Sequence, residues 1–178
     1  TTPTAANHTL NGILVERFNN YAVYATNGSL TVTDLEVDGT YAATSAVGIY
    51  ASGTTLSVSG SYLHHLSRGA YVYNAPTATF SHVIFANSTD GIYTTAQTSG
   101  TYNTTATYCT FYSLTDAVEA SQGYSSYYQY VTISSSILGS TTYILNRTGS
   151  YSLDPDCSGS SRRDAALSTN CRGARDPA

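Results

Sequence analysis

The chain has 178 residues, 41% of them hydrophobic and 10% charged, with a formal net charge of −4. That length suits one domain, so few charges exclude a disordered polyelectrolyte, and an acidic balance argues against a nucleic-acid partner. No apolar run approaches the roughly 18 residues that a membrane-spanning helix needs.

Residues 1 to 9 are polar, carry Pro3 and read as an extended lead-in. Leu10, Ile13 and Val15 then put apolar residues at a first position, three later and five later. The spacing returns at Val32, Leu35, Val37, at Phe80, Val83, Phe85, and at Ala106, Cys109, Phe111. It returns with a serine in the middle at Val58, Ser61, Leu63 and at Ile133, Ser136, Leu138. The sets begin 22, 26, 22, 26 and 27 residues apart. A period of this length marks a solenoid.

A second register lies eleven residues further on, at Tyr21, Gly69, Gly91, Ala117 and Ile144, each followed by an apolar residue. In the second coil it falls five residues late, on Gly48, so Gly39 to Ser45 are expected to bulge out as a loop. Each coil thus carries strand-like pieces joined by a turn, and no stretch keeps a helical period. Thr, Tyr, Val, Ile and Ser abound, which suits strands. The expected fold is all-β, a right-handed parallel β-helix of about six coils over residues 10–148. The right hand follows from chain chirality.

From Gly149 the composition turns to Ser, Asp, Arg and Gly. Residues 149–178 read as an irregular tail or cap, closed by a disulfide between Cys157 and Cys171. A loop of that size would gain roughly 3 kcal/mol of order from the bridge. Cys109 falls in an inward slot and is expected to be buried and free. No CxxC occurs and the tail holds no His, so neither a metal nor another cofactor is expected.

The spacing, with the Gly-Ile-Tyr runs at Gly48 to Tyr50 and Gly91 to Tyr93, resembles the right-handed parallel β-helix superfamily, the pectate-lyase-like repeat proteins. The resemblance covers about residues 10 to 146. It implies the fold and no single activity, since that fold hosts lyases, hydrolases, tailspikes, adhesins and inert fibres. The enzymes of the superfamily carry clustered Asp pairs, Gly-His-Gly and a catalytic Arg or Lys. Here there is no Asp-Asp, no Gly-His-Gly and no Lys.

Five sequons, at Asn7, Asn27, Asn87, Asn103 and Asn146, point to an N-glycosylated, secreted protein. Tyr50, Tyr71 and Tyr93 recur in consecutive coils and are expected to form an outward contact ladder for a sugar, a glycan or a second subunit. Arg68, Asp90 and Asp116 each lie ten residues after an anchor, in three successive coils. Stacking puts them on one line about 4.8 Å apart, with Glu119, His64 and His65 near. Such carboxylates serve as nucleophile and acid in a retaining glycosidase or hold calcium. A structural ladder, Arg68 pairing Asp90, is the plainer reading and is favoured here. Asp34, Glu36 and Asp38 alternate along one strand and share an outward face, read as solvated rather than as a calcium site.

Sparse site-like charge and abundant sequons favour a non-enzymatic structural subunit. It would polymerise head to tail with its own copies into an extracellular filament, with residues 1–9 or 149–178 crossing the junction. The alternative is a carbohydrate-active β-helix: a lyase, a glycoside hydrolase or a sugar-binding module. Convergence of Asp90, Asp116 and Glu119 distinguishes the two.

Overall fold

The computed structural model describes residues 6–122, 127–148, 154–156 and 161–162. The first coil holds β1 (Asn7–Glu16) and β2 (Tyr21–Thr26), the second β3 (Ser29–Asp38) and β4 (Val47–Ser52). The third holds β5 (Thr55–Ser59), β6 (Tyr62–His64) and β7 (Arg68–Tyr73), the fourth β8 (Thr77–Ser81) and β9 (Ile84–Ala96). β10 (Gly100–Thr107) and β11 (Thr110–Gln122) follow, then β12 (Tyr127–Ser134) and β13 (Ile137–Thr148), then β14 (Asp154–Asp156) and β15 (Ser161–Arg162). Every ladder is parallel and joins a strand to its equivalent one coil away. The result is a β-solenoid of about five turns, without a helix among the described residues.

Three walls run the length of the stack. The first is β1, β3, β5, β8, β10, β12 and β14 in register, and the second runs through β6, β9, β11, β13 and β15. The third is β2, β4, β7 and the later halves of β9, β11 and β13. One backbone feature explains the spacing of the apolar triplets. Gly12, Asp34, Gly60, His82, Tyr108 and Ser135 have φ of 65, 52, 58, 56, 55 and 50°. Each sits just before a middle slot. A left-handed residue there breaks the period of two, so the next residue faces inward again and the chain turns from first wall to second.

The core is a column of stacked triplets. Val32, Leu35, Val37, Phe80, Val83, Phe85 and Phe111 are all 0–1% exposed. The Phe85 and Phe111 rings stack at 5.1 Å, and Phe80 meets Phe85 edge-on at 5.7 Å. The two middle-slot serines cost nothing in unpaired polar groups. Ser61 Oγ accepts the Leu35 N–H at 3.2 Å and donates to Ser59 O at 2.8 Å. Ser136 Oγ does the same with the Cys109 N–H, at 3.1 Å, and Ser134 O, at 2.8 Å. A buried hydroxyl satisfied twice is tolerated where one without partners would not be. Cys109 is buried and free, and burial pushes its thiol up to about 11, away from reactivity.

Several expectations change in detail. Ile13 aligns with Leu35 but is 38% exposed, because among the described residues β1 pairs only with β3. In the third wall Val23, not Ala22, takes the slot of Ile49, and Leu145 is half-buried. The loop after β3 does leave the stack, with Tyr41 67% exposed beneath the Arg17 guanidinium. Pairing continues past residue 148. Asp154–Asp156 align with Tyr130–Thr132, and Ser161–Arg162 with Ile137 and Leu138. Parallel ladders form through backbone groups, so a polar segment without the apolar pattern extends the stack. Cys157 and Cys171 lie outside the described residues.

Candidate active site

The third wall opens coils three to five with a charged residue, and its glycines bring two backbones into close approach. Val47, Arg68, Asp90, Asp116 and Tyr143 are successive register partners. The next residue is Gly48, Gly69 or Gly91, and a Cβ on Gly91 would stand 2.6 Å from Ala117 O and 2.8 Å from the Phe111 ring. Two residues further on runs a second column: Tyr24, Tyr50, Tyr71, Tyr93, Glu119 and Asn146. The two columns bring Arg68, Asp90, Asp116 and Glu119 together on one face.

One carboxylate oxygen from each of Asp90, Asp116 and Glu119 lies within 4.8 Å of the other two. Arg68 Nε donates to Asp90 Oδ2 at 3.2 Å, and the Arg68 guanidinium caps the Tyr93 ring at 3.9 Å. Asn146 Nδ2 donates to Asp116 Oδ2 at 3.1 Å. Asp90 and Asp116 are each 3% exposed, and Oδ1 of both is buried without a hydrogen-bond partner. Burial and the neighbouring Glu119 push the Asp90 carboxyl up to about 6, against the pull of Arg68. Burial also raises Asp116, against its bond to Asn146. Arg68 therefore does pair with Asp90, and Oδ1 of Asp90 and of Asp116 still lack a partner.

The tyrosines form a continuous edge to this group. Tyr24 and Tyr50 stack at 5.1 Å, Tyr50 meets Tyr71 edge-on at 5.1 Å, and Tyr71 meets Tyr93 at 4.9 Å. Asn7, Asn27, Asn87 and Asn103 are exposed, whereas the Asn146 amide is engaged with Asp116. Asn87 lines a surface hollow of about 660 Å³ with Thr40, His65, Ser67 and Thr89, around the corner from the carboxylates. His64 and His65, expected near Asp90, sit instead beside Glu36 and Asp38.

The sequence marks Asn146 only as a sequon, not as a partner of Asp116, and Tyr143 was not singled out. Tyr143 lies ten residues after Ile133, the count that picked out Arg68, Asp90 and Asp116. Asn146 lies thirteen after it, as Glu119 does after Ala106 and Tyr93 after Phe80. Extending either count by one coil finds them.

A parallel solenoid with a polar, tyrosine-edged third wall is the class that fold and site define. A family model described as the right-handed β-helix region matches residues 3–154, and the chain belongs to that family. No curated protein and no solved structure gives a match.

The raised carboxyl makes a stability test. An Asp whose folded value is about 6, above the ordinary 3.8, holds its proton better folded than unfolded between those pH values. Its contribution to stability is therefore present at low pH and falls as pH rises through that window. Asp90→Asn removes the buried charge and is expected to raise stability at neutral pH by roughly 1–2 kcal/mol, a few degrees in Tm. The gain should vanish near pH 4. Calorimetry that shows Asp90→Asn less stable at neutral pH contradicts a strained carboxylate.

Proposed function

We propose that the chain is a carbohydrate-active β-helix that cleaves glycosidic bonds at Asp90, Asp116 and Glu119. The convergence of these three carboxylates within 4.8 Å carries the reading. Asp90 keeps its proton to about pH 6 and is the general acid. Glu119, half-buried where the other two are buried, is the nucleophile. Carboxyl oxygens within 4.8 Å of one another are closer than the roughly 6.5–9.5 Å of inverting enzymes, which favours net retention of configuration. Asp116, held by Asn146, completes the negative field on the developing oxocarbenium ion.

Among the described residues Asp90, Asp116 and Glu119 gather at this face with Arg68, an acidic balance. The face therefore suits a neutral glycan whose sugar rings lie on Tyr71 and Tyr93. The test is release of reducing ends from a neutral panel of β-glucan, xylan, galactan and mannan. Tyr93→Ala should weaken binding of the cleaved glycan about tenfold, since loss of one stacked ring costs roughly 1 kcal/mol or more. No release and no binding across the panel contradict the reading.

The first coil supports a second reading, self-association end to end. Among the described residues β1 pairs only with β3, and Ile13 and Leu14 are 38% and 57% exposed. A second copy seated there would continue the ladder. Multi-angle light scattering should then give masses above 18.8 kDa that rise with concentration. A constant monomer mass contradicts it. Secretion and glycans at the exposed sequons belong to both readings. Intact mass of native material equal to the bare chain contradicts the glycans.

A further inference from the structure

The second cluster, at the corner between the second and third walls, lies outside the carbohydrate site. His64 closes β6, and its register partner is Asp38 at the end of β3. His65 follows with φ of 56°. In an extended strand, neighbouring side chains point to opposite faces. The left-handed residue cancels that alternation and turns both imidazoles to one side. The backbones also approach closely, since Gly39 N–H donates to His64 O at 2.9 Å and a Cβ on Gly39 would fall 2.1 Å from His65 O.

Three ligand-type atoms converge there. His64 Nδ1 and His65 Nδ1 are 2.7 Å apart, and Asp38 Oδ1 lies 3.6 Å from the first and 3.7 Å from the second. Bonds of about 2.0–2.1 Å to a tetrahedral ion put neighbouring ligand atoms about 3.3 Å apart, which these values bracket. A small opening of the two rings makes room for the ion. Neighbouring groups hold these ligand atoms in place. Asp38 Oδ1 accepts from Thr40 N–H at 2.9 Å and from the Thr40 hydroxyl at 2.5 Å, which fixes the carboxylate. His64 is 7% exposed, and Tyr62 stacks on its ring at 4.1 Å. Its Nε2 is buried with no hydrogen-bond partner, 3.5 Å from Glu36 Oε1. A carboxylate on that side favours the proton at Nε2 and leaves the Nδ1 lone pair facing the cluster.

We propose that His64 Nδ1, His65 Nδ1 and Asp38 form a binding site for a first-row divalent ion of the Zn²⁺ type. Two imidazoles and one carboxylate suit Zn²⁺, Co²⁺ or Cu²⁺, and not Ca²⁺ or Mg²⁺, which take oxygen. His65 and Thr40 line the surface hollow and the His65 side chain is 47% exposed, so water or an exogenous ligand can reach the cluster. The ion joins coils two and three, because Asp38 and the histidines come from different coils.

Co²⁺ titration of the full chain tests this by visible absorption. The expected result is one equivalent bound, with d–d bands of a four- or five-coordinate site, displaced by Zn²⁺ and not by excess Ca²⁺. His65→Asn keeps a residue that tolerates positive φ, so circular dichroism should be unchanged while affinity falls at least tenfold. Asp38→Asn should weaken binding likewise, and Asp90→Asn should not. Bands that persist in His65→Asn, a thiolate charge-transfer band, or no binding at all would overturn the assignment.

Discussion

Glu119→Gln is expected to lower the rate of polysaccharide cleavage by about 10²–10⁴-fold, the usual contribution of a single positioned catalytic carboxylate. The side chain keeps its shape and its place beside Tyr93 and Asn146 in the register, so the fold should be unaffected. The substitution also removes the like charge that raises Asp90. The Asp90 proton should then be lost at lower pH, and the alkaline limb of whatever activity remains should move down. Measuring kcat and KM across pH 4–8 separates these effects. A fall in kcat with KM unchanged fits a group acting in the transition state. A rate within twofold of the parent removes Glu119 from the chemistry.

Phe85→Ala should destabilise the protein by about 3–5 kcal/mol. Phe85 is 0% exposed and lies between Phe80 and Phe111 in the middle of the stack, and its ring also meets the bare backbone at Gly69. A Cβ on Gly69 would come 2.5 Å from that ring, so the packing there has no slack. Natural domains are stable by only about 5–15 kcal/mol, so the change is a large fraction of the total. Each coil of a solenoid touches mainly its neighbours, and the loss at coils three to five should uncouple the two ends. Denaturant unfolding should become broad or two-stepped. A loss under about 1 kcal/mol with one sharp transition would mean that the Phe column is not the centre of the core.

Much of the fold was legible because a parallel β-helix repeats its pattern. Phe80, Val83 and Phe85 repeat over Ala106, Cys109 and Phe111, so one triplet predicts the next. The left-handed corner was present in the sequence only as the odd step of three, since Gly12, Asp34, His82 and Tyr108 share no side-chain chemistry. The strands β14 and β15 were not legible, because backbone pairing needs no apolar pattern. At the candidate site, stacking arithmetic aligned Arg68, Asp90 and Asp116. It put Glu119 near them but did not fix that Glu119, one column over, would close the gap. Nor did it show that a positive φ at His65 would send both histidines to Asp38. Contacts along a column follow from counting residues. Contacts between columns depend on how the chain bends at its corners.

The carbohydrate reading is tested most directly by the stereochemistry of the first product. Proton NMR of a freshly started digestion, on whichever neutral polysaccharide releases reducing ends, shows the anomer before it equilibrates. Retention is expected from carboxyl oxygens within 4.8 Å of one another. Inversion, an unsaturated sugar, or no sugar released from any substrate would contradict it.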